Sequence, residues 1–185
     1  MTWLVRPATV ADAEGIARVH IDGWQGAYRH IFPADFLEGL GNTLDERTEW
    51  WRQWLAGLRE QEGPPHWLFV AEENDAVIGF VSCYHAGDAD SVGVGEVAAI
   101  YISPSHWRRG IGRALMNTAV GDLRSAGFNE AILWVLEKNA LARSFYEKEG
   151  WLFDEATKTI APGSLPQLPG GHEAVEVRYS KRLID

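Results

Sequence analysis

The stretch Val97-Ala-Ala-Ile-Tyr-Ile-Ser-Pro-Ser-His-Trp-Arg-Arg-Gly-Ile-Gly-Arg113 decides how this chain is read. Val97 to Ile102 is an apolar, strand-like run, and Pro104 stops it. Arg108-Arg109-Gly110-Ile111-Gly112-Arg113 follows and opens a long amphipathic helix. A helix start offers unpaired N–H groups and a partial positive charge. The two glycines carry no Cβ, so a ligand can come close to the backbone. With three arginines added, the segment suits a diphosphate. The plainer reading is a basic turn that only starts a helix. A nucleotide P-loop is excluded, because Gly112 is followed by Arg113-Ala114 and not by Lys and Ser or Thr. Gly93-Val-Gly-Glu-Val-Ala98 imitates a dinucleotide fingerprint. That fingerprint must lead from a strand into a helix, and here it leads into a strand.

The 185 residues suit one domain, taken as 1–185, with 46% hydrophobic and 23% charged residues. No apolar run approaches twenty residues, and the N-terminus lacks the pattern of a secretory signal. A cytoplasmic protein with no membrane partner is expected. The net charge of −9 argues against a nucleic-acid partner and suits a cationic small molecule. Cys83 is alone and sits in a strand-like run, so it is expected in the core. The six histidines are scattered without ligand spacing, so no metal is expected. A homodimer is left open.

Along the chain, Trp3 to Arg6 reads as a short strand ended by Pro7. Thr9 and Asp12 resemble a capping box before a helix carrying Ile16, Val19 and His20 on one face. A short helical piece follows Pro33. A longer helix runs from about Leu44 to Leu58, with Trp50, Trp51 and Trp54 as a packing stripe, and Gly63-Pro64-Pro65 ends it. Trp67 to Glu72 and Ala76 to Tyr84 flank a hairpin turn at Glu73-Asn74-Asp75. Ala86 to Ser91 reads as a polar loop, and Gly95 to Ser103 as the third strand of a meander. Ile111, Leu115, Ala119 and Leu123 recur every four residues in a helix that Gly127 caps. Ala131 to Leu136 is uniformly apolar, as in a strand covered on both faces. Asn139 to Glu149 is helical. Strands begin at Trp151 and run from Ala174 to Tyr179, with a loop from Ile160 to Gly171 between them. The fold class is α+β: a central mixed, mostly antiparallel sheet flanked by helices.

Ile100-Tyr-Ile-Ser-Pro104 with His106-Trp-Arg-Arg-Gly-Ile-Gly-Arg-Ala-Leu-Met116, then Leu133-Trp-Val-Leu-Glu-Lys-Asn139 with Phe145-Tyr-Glu-Lys-Glu-Gly-Trp151, resemble the GNAT superfamily of acetyl-CoA-dependent N-acetyltransferases. The resemblance covers nearly the whole chain. One departure is Trp107, where the family usually has Gln or Arg. The resemblance implies a splayed strand pair, Gly95–Ser103 against Ala131–Leu136. It implies that acetyl-CoA lies in the gap, with CoA as product. Backbone near Ile100 and Ile102 would pair with the pantetheine arm. The diphosphate would rest on Arg108, Arg109, Gly110, Ile111, Gly112 and Arg113. Asn139 matches a residue that contacts the cofactor arm, and Tyr146 the family's general acid.

An alkylammonium must lose a proton before it attacks. Glu96, a carboxylate in an apolar strand, is the leading base, acting directly or through water. Its plainer reading is a solvent-facing strand end. For Tyr146 the plainer reading is a core tyrosine, and for Asn139 a helix N-cap. Trp24 and Tyr28 lie one turn apart and can line an acceptor pocket by cation–π contact or pack the first helix onto the sheet. Tyr84, His85, Glu173 and Glu176 are weaker candidates. The expected activity is acetyl transfer to a primary amine of a small molecule, polyamine-like or amino-acid-like, by direct attack in a ternary complex. The alternatives are acetylation of protein N-termini or lysines, and a noncatalytic acyl-CoA-binding module.

Overall fold

The computed structural model describes residues 3–57, 66–86, 93–160 and 174–184. Among the described residues seven strands form one sheet: β1 (Leu4–Pro7), β2 (Trp67–Glu73), β3 (Ala76–His85), β4 (Gly95–Ile102), β5 (Glu130–Leu136), β6 (Leu152–Ile160) and β7 (Ala174–Arg182). Their order across the sheet is β1-β2-β3-β4-β5-β7-β6. Every neighbouring pair is antiparallel except β4 and β5. The expected mixed, mostly antiparallel sheet is therefore present. The last two strands bring a feature that local patterning does not carry: β7 inserts between β5 and β6.

The meander forms where the turn chemistry permits it. Asn74 and Asp75 both have positive φ, 52° and 61°, in a two-residue turn between Glu73 and its partner Ala76. Asn and Asp tolerate that region, and the resulting twist matches a hairpin. Pro7 is the last paired residue of β1, opposite Phe69. It is tolerated there because β1 is an edge strand.

Five α-helices lie among the described residues: α1 (Ala13–Ala27), α2 (Ala34–Gly39), α3 (Leu44–Gly57), α4 (Ile111–Ser125) and α5 (Ala140–Lys148). The Thr9–Asp12 capping box is formed, with Thr9 N donating to Asp12 Oδ2 at 2.7 Å. Side chains alternate across β2. Leu68 and Val70 face α1 and α3, where Ile16, Ala17, Trp51 and Leu55 cover them. Phe69 and Ala71 face the other way, toward Ile111, Leu115, Met116, Ala119 and Leu123 of α4. The four-residue spacing of α4 thus reads out as one buried stripe. Each fully buried aliphatic side chain of this kind contributes about 1.5–3 kcal/mol. Cys83 is buried in the α4 layer, and burial pushes its thiol up to about 12. No helix among the described residues is long and apolar enough to cross a membrane. The expected loops at 87–91 and 161–171, the breaker at 63–65 and the candidate Glu173 lie outside the described residues.

Candidate active site

β4 and β5 pair at only two positions, Gly95 with Ala131 and Glu96 with Ile132. Beyond them the strands part. A bulge accompanies the parting: Cys83 pairs with Val97 but Ser82 with Ala99, so Ala98 is an extra residue in β4. Such a bulge bends its strand and sharpens the local twist. The fork opens into a cavity of about 810 Å³ between β4, β5, the start of α4 and the face of α5.

One end of the cavity is the glycine-rich helix start. Gly110 sits at φ +84°, a conformation that strongly favours glycine, and α4 has no side-chain N-cap. Its first N–H groups are therefore not taken by a capping side chain. A Cβ on Gly112 would lie 3.3 Å from Ile102 Cδ1 and 3.5 Å from a Phe145 ring atom, so glycine keeps this corner open. Arg108 and Arg113 line the cavity, and Arg113 also holds Glu149 at 2.8 Å. Arg109 does not line it. Its guanidinium grips Glu73 at 2.5 and 3.1 Å and holds that carboxyl below its usual range. Trp107 serves as a tie, since its Nε1 donates to the Ile102 carbonyl at 2.8 Å and fastens the loop to the end of β4.

Asn139 and Tyr146 lie on the opposite wall. Asn139 Oδ1 accepts from Ala142 N at 3.1 Å, so the N-cap reading holds, and the residue also lines the cavity. Tyr146 is buried, yet its side chain reaches the cavity wall. Its hydroxyl makes no hydrogen bond among the described residues, and burial pushes the phenol well above its usual range. The helix beneath it is anchored. Arg143 Nε donates to Tyr179 Oη at 3.0 Å, and Tyr179 Oη donates to Glu147 at 2.8 Å.

The far end is aromatic and acidic. Tyr28 and Tyr101 both line the cavity, with hydroxyls 3.2 Å apart. Trp24 stands behind them and is not a lining residue. Its ring meets Tyr28 edge-on at 4.8 Å and stacks on Phe32 at 5.8 Å. Glu96 sits at the closed base of the fork, and the cavity lining begins one residue later at Val97. Tyr84 Oη donates to the Glu96 carboxylate at 3.3 Å. His85 packs against Phe128 and does not line the cavity.

Glu176 proves more prominent than its place in the sequence suggests. It lines the cavity, and burial raises its carboxyl even though Lys158 Nζ stands 3.4 Å away. The same ammonium lies 4.0 Å from the ring centroid of Trp134, another lining residue. The only signal in the sequence is a carboxylate at an alternating position in an apolar strand. Tyr101 belongs to the strand motif, and its spacing alone gives it no role.

Residues 25–151 match the model of the acetyltransferase (GNAT) family. An uncharacterised N-acetyltransferase, YuaI, of Bacillus subtilis is 34% identical over 136 residues, which is 73% of this chain and 72% of that protein. A spermidine N(1)-acetyltransferase of Thermoplasma acidophilum is 22% identical over 155 residues, 84% of this chain and 91% of its own. Among solved structures, the PaiA N-acetyltransferase from Thermoplasma acidophilum in complex with coenzyme A superposes with a TM-score of 0.74 at 18% identity, covering 98% of this chain and 99% of that one. The forked sheet, the glycine-opened helix and these matches lead to one conclusion: the chain belongs to the GNAT family and is an acetyltransferase.

Proposed function

We propose that this enzyme moves an acetyl group from acetyl-CoA to a primary amine of a small molecule by direct attack in a ternary complex. The observation that carries the reading is a single cavity with an uncapped helix start at one end and a buried tyrosine and carboxylate at the other. The coenzyme A complex of a structural neighbour and the spermidine acetyltransferase among the relatives support it.

The residues present fit the donor. Gly110 and Gly112 leave room against the backbone of Arg108 to Arg113, where N–H groups would hold a diphosphate. Beyond Glu96 no residue of β4 pairs with β5, so the strand edge near Ile100 can hydrogen-bond an extended amide arm. The Ile102 carbonyl already serves Trp107, which moves that pairing toward Ile100. Arg109 acts indirectly, by fixing the loop to Glu73. Asn139 completes the wall beside the arm. When bound, acetyl-CoA supplies an activated carbonyl and a thiolate leaving group.

Burial raises the Tyr146 phenol pKa, which favours its protonated form, and in this reading Tyr146 donates that proton to the departing sulfur. Glu176 meets the acceptor's ammonium at the cavity wall. Glu96, below the fork, takes the proton through a water. Tyr28 and Tyr101 shape the mouth, and Trp24 braces Tyr28. The test is thiol release by the purified protein with acetyl-CoA against a panel of small amines and short peptides. Release with small amines supports the reading. Release with peptides alone replaces the acceptor class, and donor binding without turnover leaves a binding module.

A further inference from the structure

Strand register gathers charge on one face of the half-sheet at the aromatic and acidic end of the cavity. β7 sets Glu176 opposite Lys158 of β6, and Arg178 opposite Trp134 of β5. Glu176 and Arg178 are two residues apart, so the four side chains share a face. Trp134 and Glu176 line the cavity. Lys158 is not a lining residue, but its ammonium reaches that stretch of wall from the neighbouring strand. Lys158 Nζ lies 3.4 Å from Glu176 Oε2 and 4.0 Å from the centroid of the Trp134 ring.

The two cations on this face are held differently. Arg178 is only 15% exposed, and its Nε donates to Asp154 Oδ2 at 2.8 Å while the guanidinium carbon stands 5.6 Å from the Trp134 centroid. It is a fixed part of the face. Lys158 is 44% exposed, and its 3.4 Å approach to Glu176 is longer than the roughly 2.7–2.9 Å of a tight charge-assisted hydrogen bond. A carboxylate beside an aromatic ring is the chemistry that recognises an alkylammonium. A lysine ends in a primary alkylammonium on a flexible four-carbon stem. The wall therefore already holds, from outside, the group expected of the acceptor.

We propose that Trp134 and Glu176 form a subsite for a primary alkylammonium, and that Lys158 is its resident occupant, a tethered cation that the acceptor's ammonium displaces on binding. The inference rests on the acetyl-transfer reading and names where the acceptor's cation is held and what it competes with. An ion pair or cation–π contact at an exposed position is weak. Lys158 thus swings out to solvent readily, and its competition raises the acceptor KM by about two- to tenfold.

The experiment follows the Trp134 indole N–H resonance, assigned by its loss in Trp134→Leu, during titration with n-butylammonium and with neutral n-butanol, with and without CoA. Burial raises the Glu176 carboxyl pKa and Lys158 opposes the rise. The proteins are therefore compared at about pH 8, which favours the carboxylate while an alkylammonium keeps its charge. Butylammonium should shift the resonance and butanol should not. Lys158→Met should bind butylammonium about two- to tenfold more tightly than wild type. Lys158→Arg, which keeps a tethered cation, should stay close to wild type, and Glu176→Gln should lose the response. Lys148→Met removes another ammonium, one on the opposite wall of the cavity, and should leave butylammonium affinity within about twofold if the effect is local and not one of net charge. Thiol release with putrescine should show the same gain in Lys158→Met as a lower KM, with little change in kcat. Equal or weaker butylammonium binding in Lys158→Met overturns the inference, as does an equal gain in Lys148→Met or an equal response to butanol. If these results come with normal thiol release, acetyl transfer stands and only the resident-cation subsite falls. If no amine is acetylated but Lys158→Met still tightens butylammonium binding, the subsite stands and the acetyl-transfer reading fails.

Discussion

Replacing Tyr146 with Phe removes one hydroxyl and leaves the ring. The ring packs 5.4 Å from Phe145 and 6.1 Å from Tyr179, centroid to centroid, and both contacts survive the change. The hydroxyl has no hydrogen-bond partner among the described residues, so no buried group is orphaned. The stability cost should stay within about 0.5 kcal/mol, a small shift in Tm. The rate should respond differently. General acid catalysis contributes about 10²–10⁴-fold, or roughly 3–5 kcal/mol of barrier. The lower end is expected, since a thiolate leaves readily and water can supply a proton. The assay is steady-state kcat against pH for both proteins, with Tm and CoA affinity measured in parallel. A variant with wild-type kcat across the pH range would refute the acid assignment and make Tyr146 a wall residue.

Gly112→Val should weaken CoA binding roughly 10–100-fold by blocking a charge-assisted backbone contact, whereas Arg113→Ala should cost about fivefold at most, because that side chain is 66% exposed. Calorimetry on the two variants checks the order, and equal losses would count against the backbone cradle. Glu176→Gln should raise Tm at pH 7 and above while impairing amine turnover. Burial raises the folded pKa of Glu176, so the cost of its charge is felt above that pKa and vanishes below the unfolded value near 4.5; a Tm gain that persists at pH 4 would contradict this. Arg109→Ala should lower Tm more than it lowers CoA affinity. Arg109 depresses the Glu73 pKa, so that stability is present above the unfolded value and lost as pH falls through the folded one. The Tm gap between wild type and variant should therefore close on acidification from pH 7 toward pH 3.

What is legible in the sequence is local. The hairpin at Asn74-Asp75, the buried stripe of α4, the glycine start at Gly110 and the strands that form the fork all follow from turn chemistry and spacing. What escapes it depends on distance along the chain. Nothing near Arg109 announces Glu73, 36 residues earlier, so in the sequence its charge reads as part of a phosphate site. Trp24 and Tyr28 share a helix face, and that spacing serves a cavity wall and a packed core equally well; only Tyr28 reaches the cavity. Glu176 gains its place because β7 inserts next to β5, a pairing that no local pattern encodes.

Two rungs of hydrogen bonding are all that join β1–β4 to β5, β7 and β6 across the fork. The aromatic and acidic end of the cavity draws on both sides of that seam. Tyr101 comes from β4 on one side, and Trp134 of β5 with Glu176 of β7 from the other. An amide-bearing arm in the gap would supply rungs the protein lacks, and so set the spacing between the two half-sheets. The donor is then a structural spacer as well as a reagent. If the proposed amine meets that wall, the wall would acquire its working width only after the donor is seated, so the two substrates should add in a compulsory order, donor first.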